Sequence, residues 1–133
     1  MKYNLFIGRY QSPHKGHQEI FNTYLKNGEP VLIAIRDIEP DFENPLTAIE
    51  VKLIWDEIYK DSKLVKTIII PDIASVNYGR GVGYAVNEIT VDKKTASISA
   101  TEIRKQIMND ETLWKQWVDD SAHELLIKLI KKQ

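Results

Sequence analysis

The chain has no cysteine, only six glycines and five prolines, and a net charge of −1 over 133 residues. Without cysteine there is no disulfide framework, no thiolate nucleophile and no Cys-based zinc site. The small share of glycine and proline, beside 43% apolar and 28% charged residues, speaks for a folded globular chain and against disorder. No apolar run approaches the roughly 18 residues of a membrane span, and the stretch after Met1 is too short for a signal sequence. The expectation is a cytoplasmic protein with no membrane partner. Near-neutral charge gives no general attraction for nucleic acid, and the cluster Lys128, Lys131 and Lys132 reads as cations complementing the end of a last helix. There is no GxxxxGK(S/T) segment, which removes support for a P-loop kinase or ATPase.

What is present is enough chain for one domain, residues 1–133, with a real core. Apolar, β-branched runs at 5–7, 31–35, 67–70 and 96–99 predict four buried parallel strands. Helical patterns lie between them at 16–26, ended by Asn27-Gly28, and at 47–60, opened by the capping box Thr47-Ala48-Ile49-Glu50. Alternation of strand and helix predicts an α/β, doubly wound parallel sheet. Residues 71–83 form a long polar loop, with a short helix expected at Ala85 and Val86. The C-terminal segment reads as helical at 100–108, 111–118 and 121–132, the last opened by Ser121-Ala122-His123-Glu124. Trp114 and Trp117 read as core or dimer contacts, so a homo-oligomer stays open.

Two segments at predicted strand ends carry chemistry. The first, GRYQSPHKGH at 8–17, sits where ligands bind in open α/β sheets, in an opening stretch that holds Lys2, Arg9 and Lys15 and no acid. Gly8 frees the backbone to turn, Gly16 allows close approach, and the N-terminus of the following helix offers unpaired N–H groups to an anion. His14 and His17, three apart, face the same way on a helical turn. Together they suit a phosphate chain; the alternative is a helix start at Ser12-Pro13 with two histidines there by chance. Zinc finds no support, since His123 is distant and no nearby acid completes a set. The second segment is ISATEIR at 98–104, where Ser99 and Glu102 fit a capping box while two hydroxyls and Arg104 make a second anion site.

GRYQSPHKGH resembles the (H/T)xGH segment of the nucleotidylyltransferase superfamily, and ISATEIR resembles its second signature, ISxTxxR, in the same order. The resemblance implies a Rossmann-like fold and transfer of a nucleoside monophosphate from an NTP to a phosphate-bearing acceptor, with release of pyrophosphate. It implies that His14, His17 and Arg104 act on the phosphates, helped by Gly8, Arg9, Tyr10, Lys15, Gly16, Ser99 and Thr101. Mg²⁺ is the implied cofactor, largely water-coordinated on the phosphate oxygens. Asn44-Pro45-Leu46-Thr47-Ala48 and Pro71-Asp72-Ile73 are similar to segments of archaeal-type nicotinamide mononucleotide (NMN) adenylyltransferases. Two departures stand against NMN as acceptor: the span from Ile73 to Ser97 is too short for their additional strand and helix, and Val51 stands where they carry arginine. The stretch from Val76 to Tyr84 instead resembles short cytidylyltransferase-like domains. On that resemblance CTP is favoured over ATP, and the acceptor is a small phosphate or phosphonate. Arg80 with Tyr78, and Arg36, Asp37 and Asp72 at strand ends, are placed to hold the acceptor. A minimal NMN adenylyltransferase and a non-catalytic nucleotide-binding module are the alternatives.

Overall fold

A computed structural model describes residues 1–132. Strands β1 (Asn4–Gly8), β2 (Val31–Asp37) and β3 (Val65–Pro71) alternate with helices α1 (Lys15–Leu25) and α2 (Ala48–Ile58). After a long irregular stretch come α3 (Lys93–Ala96), α4 (Ala100–Met108), two 3-10 turns (Leu113–Trp117 and Asp120–Ala122) and α5 (His123–Lys131).

The strands pair in parallel in the order β1-β2-β3. Their register sets Gly8 opposite Ile35, and Arg36 and Asp37 opposite Ile70 and Pro71, so the three carboxyl ends align along one rim. This is the expected α/β, Rossmann-like sheet with a helical C-terminal segment. Val31, Ile33 and Ile35 share one sheet face and are fully buried in one cluster with Val51, Ile54 and Trp55 of α2. Fully burying such side chains stabilises by about 1.5–3 kcal/mol each, which fixes the sheet on α2. Helices α4 and α5 extend the same core through Ile103, Ile107, Leu126 and Ile130. Trp114 is fully buried there and Trp117 packs against it, as the core reading of both expects.

Helix boundaries follow local chemistry. Thr47 Oγ1 accepts from Glu50 N at 3.1 Å and Glu50 Oε1 accepts from Thr47 N at 2.9 Å, the capping box read from the sequence. Gly28, at φ +75°, takes the left-handed conformation that ends the chain reversal after α1. The last helix begins later than expected, at His123, because Asp119 Oδ1 accepts from Ser121 N at 3.0 Å and closes a 3-10 turn first.

Two expectations are corrected. Residues 96–99 are not a strand. Asp92 Oδ1 accepts from Thr95 N at 2.7 Å and Ser97 Oγ donates to Lys94 O at 2.6 Å, closing a helical turn over the segment. Side chains that bond the nearby backbone outcompete the β preference of so short a run. The helix expected at Ala85 and Val86 is absent as well. Those residues run irregularly along a groove that they form with Leu5, Ile7 and Tyr24.

Candidate functional site

The turn between β1 and α1 is built around two imidazoles. His14 is the N-cap of α1, and its Nδ1 accepts from Gly16 N at 3.0 Å. His17, one turn on, accepts from His14 N at its own Nδ1, at 3.1 Å. The rings stack with centroids 3.8 Å apart. With Nδ1 used as an acceptor, each neutral ring carries its proton on Nε2, and among the described residues neither Nε2 has a hydrogen-bond partner. Burial pushes the His14 imidazole down to about 4; burial, then the neighbouring His14, pushes His17 down to about 3. Both are therefore neutral donors at neutral pH, beside the N–H groups of a helix N-terminus.

The two glycines have steric reasons. A Cβ on Gly16 would lie 2.7 Å from His14 Cε1, so only glycine lets the capping ring fold over the helix start. A Cβ on Gly8 would lie 2.7 Å from Tyr10 Cζ. Tyr10 itself has the positive φ, +53°, that turns the chain, the role expected of Gly8. Its ring is buried edge-on against His17 and Trp55, at 5.0 and 5.4 Å between centroids, and burial holds its hydroxyl well above the usual range. Tyr10 thus belongs to the core that supports the imidazoles and not to a phosphate-facing surface.

Sequence reasoning missed Gln11. Its Nε2 donates to Leu46 O at 2.8 Å and its Oε1 accepts from Leu46 N at 2.9 Å, a two-way amide clasp onto the segment before α2. Arg104 completes the brace from α4: Nη1 donates to Gln11 O, Nη2 donates to Glu43 O at 2.6 Å, and Thr101 Oγ1 lies 3.5 Å away. These three segments enclose a cleft of about 1280 Å³ lined by Arg9, Gln11, Thr101, Arg104 and Lys105, among others. Arg9 donates to Glu39 O at 3.0 Å and lies 3.9 Å from Asp41. The imidazole pair does not line this cleft; it sits at the start of α1, three residues beyond Gln11.

The remaining residues divide into two groups. Ser99 is the N-cap of α4, accepting from Glu102 N at 3.2 Å, but the reciprocal half of the expected box is missing because Glu102 Oε1 accepts from Gln106 instead. Lys15 is exposed at the first position of α1, its charge felt by Asp119. On the sheet rim Arg36 donates through Nε and Nη2 to Asp72 Oδ1, at 3.1 and 2.7 Å, which holds the Asp72 carboxyl below its usual range. Asp37 is exposed beside them. Tyr78 and Arg80 are exposed on the irregular stretch and line neither the cleft nor the groove, so they are not brought to the other sites.

No family model matches the chain. Over 80 aligned residues it is 31% identical to a nicotinamide-nucleotide adenylyltransferase of Aeropyrum pernix, a match covering 56% of this chain and 46% of that protein. The chain thus spans less than half the length of the curated relative it matches. No helix among the described residues is long and apolar enough to cross a membrane.

Proposed function

We propose that this chain is a nucleotidyltransferase of the HxGH type. It moves a nucleoside monophosphate from an NTP to a small phosphate-bearing acceptor and releases pyrophosphate. The observation that carries the reading is the reciprocal cap of His14 and His17, which leaves two neutral Nε2–H donors at the start of α1. The likeness to an adenylyltransferase supports it from a separate direction.

In this reaction an acceptor oxygen forms the new bond to the α-phosphorus as the bond to the pyrophosphate oxygen breaks, and the leaving group departs with that electron pair. The chain need not move a proton. Neutral Nε2–H groups donate hydrogen bonds to phosphate oxygens as their charge redistributes, and the N–H groups of α1 add to that field. Arg9, Arg104 and Lys105 supply fixed positive charge in the adjoining cleft. Of the two carboxylates that line the cleft, Asp41 is bonded by Asn44 and neighboured by Arg9 while Glu43 acts on Arg104, so a magnesium ion would enter with the nucleotide and not be caged by the chain. The charge chemistry such an ion would supply is neutralisation of the pyrophosphate, added to that of Arg9, Arg104 and Lys105.

The base and acceptor divide the reading. The relative's name favours adenylyl transfer to NMN. Val51 and the short span from Ile73 to Ser97 stand against NMN, and the resemblance of Val76 to Tyr84 to cytidylyltransferase-like domains favours cytidylyl transfer to a small phosphate or phosphonate, with Arg36, Asp37 and Asp72 on the sheet rim, and Tyr78 and Arg80 on the separate irregular stretch, as the candidate acceptor groups. The test is pyrophosphate release with Mg²⁺ and ATP or CTP, each offered NMN and a panel of small phosphates and phosphonates. Turnover with one pair, lost by a factor of about 100 or more in His17→Asn, is the expected result. NTP binding without turnover for any pair would overturn the enzyme reading in favour of a binding module.

A further inference from the structure

The cleft beside Arg104 carries a second feature that phosphate handling does not use. Phe42 lines it and is 99% exposed, the most exposed of the large apolar side chains, and Met108, 53% exposed, lines it from α4. Phe42 is not on a slack tip. Asn44 N and Nδ2 donate to Asp41 Oδ1 at 2.8 and 3.2 Å, the Asp41 and Asn44 backbones bond each other, and Arg104 holds the carbonyl of the next residue, Glu43. A tethered backbone thus presents an open aromatic face. Met108 stands one turn beyond Arg104 on α4, so cation and thioether share a helix face.

The charge of the cleft argues for a ligand that is more than an anion. Arg9, Arg104 and Lys105 line it, but so do Asp41 and Glu43, and Arg104 is already bonded to two carbonyls. A bare polyphosphate meets only a small surplus of positive charge there. A volume of about 1280 Å³ exceeds what a mononucleotide needs, and drug-sized ligands occupy pockets of roughly 300–1,000 Å³. We infer that Phe42 and Met108 form a stacking platform for the planar heteroaromatic ring of a nucleotide whose phosphates face Arg9 and Arg104. The inference rests on the nucleotidyl-transfer reading for the phosphate end. The ring is either the base of the NTP or the ring of a mononucleotide acceptor, and both offer the same π face.

The experiment measures equilibrium binding of ATP, CTP, NMN and inorganic tripolyphosphate to the wild type, Phe42→Ala and Phe42→Tyr. A nearly fully exposed side chain leaves the fold intact when truncated, and a melting curve checks this. Phe42→Ala should weaken at least one ring-bearing ligand about tenfold, Phe42→Tyr should restore it, and tripolyphosphate should be unaffected. Loss with ATP or CTP assigns the platform to the donor base; loss with NMN alone assigns it to an acceptor ring. Equal affinities in wild type and Phe42→Ala, an equal loss for tripolyphosphate, or no ring-bearing ligand bound by the wild type would overturn it. Failure of the transfer reading is distinct: pyrophosphate release is then absent while the ring-dependent loss persists.

Discussion

The buried imidazole pair should make the protein sensitive to acid in a window where its carboxylates remain ionised. Unfolded, each imidazole titrates near 6.5; folded, burial lowers His14 to about 4 and His17 to about 3. The unfolded chain therefore binds protons that the folded chain refuses, so stability is complete above about pH 6.5 and falls as pH drops through about 4. At pH 5 the unfolded groups are nearly fully protonated and the folded ones are not. The cost is about 2 kcal/mol per imidazole, about 4 kcal/mol for the pair, a large share of a typical domain's stability. The perturbation is the double variant His14→Asn with His17→Asn. Asparagine Oδ1 takes the place of Nδ1 as the acceptor, so the cap of α1 survives while the titrating groups are gone. Urea unfolding at pH 7.5 and pH 5.0 should show the wild type losing about 4 kcal/mol more than the variant between the two. Parallel losses, or the His14 or His17 imidazole seen by assigned NMR signals to titrate near 6.5 in the folded protein, would refute the buried neutral pair.

Gly16→Ala drives a Cβ to 2.7 Å from the His14 ring, and should destabilise by about 1–3 kcal/mol in thermal or urea unfolding. Gln11→Ala leaves Leu46 N and O without partners at a part-buried site, with an expected loss of about 1–3 kcal/mol. Turnover should fall further than that stability loss accounts for, because the lost clasp to Leu46 no longer fixes the Gln11 backbone whose carbonyl holds Arg104; unchanged kcat would leave the brace structural only. Arg36→Ala removes a half-exposed ion pair and should change stability by less than about 1 kcal/mol. If the sheet rim holds the acceptor, its KM rises, and an unchanged KM takes Arg36 and Asp72 out of that role.

What the sequence discloses depends on how local the determining contacts are. Residues 31–35 and 67–70 read as strands because unbroken apolar, β-branched runs have few other solutions, and Thr47 with Glu50 reads as a helix start because both halves of the cap lie three residues apart. Residues 96–99 mislead for the same reason inverted: Asp92 and Ser97 bond the backbone within three residues, and such a turn leaves no trace in hydrophobic pattern. Gln11 is illegible because its partner is 35 residues away, and Arg104 reaches Gln11 across 93. Tyr10, placed among phosphate-facing groups by its position in the motif, is turned inward by the aromatic pocket that α1 and α2 close around it.

His14 and His17 show why a helix cap and a phosphate site need not compete for the same residues. Read as letters, a helix start and a pair of ligand donors are rival explanations of one spacing. In the fold they fall to different atoms of one ring. Nδ1 fixes the start of α1, and in fixing it forces the proton onto Nε2, the atom left without a partner. Burial keeps the charge off both rings, His17 packed edge-on against Tyr10 and Trp55 and His14 stacked on His17, so each ring is a donor of set direction and not a titrating base. A group that only donates has no proton to lose or gain during turnover, and in-line phosphoryl chemistry asks for little else beyond positioning. The structural role of each imidazole thus sets the protonation state that its proposed chemical role requires.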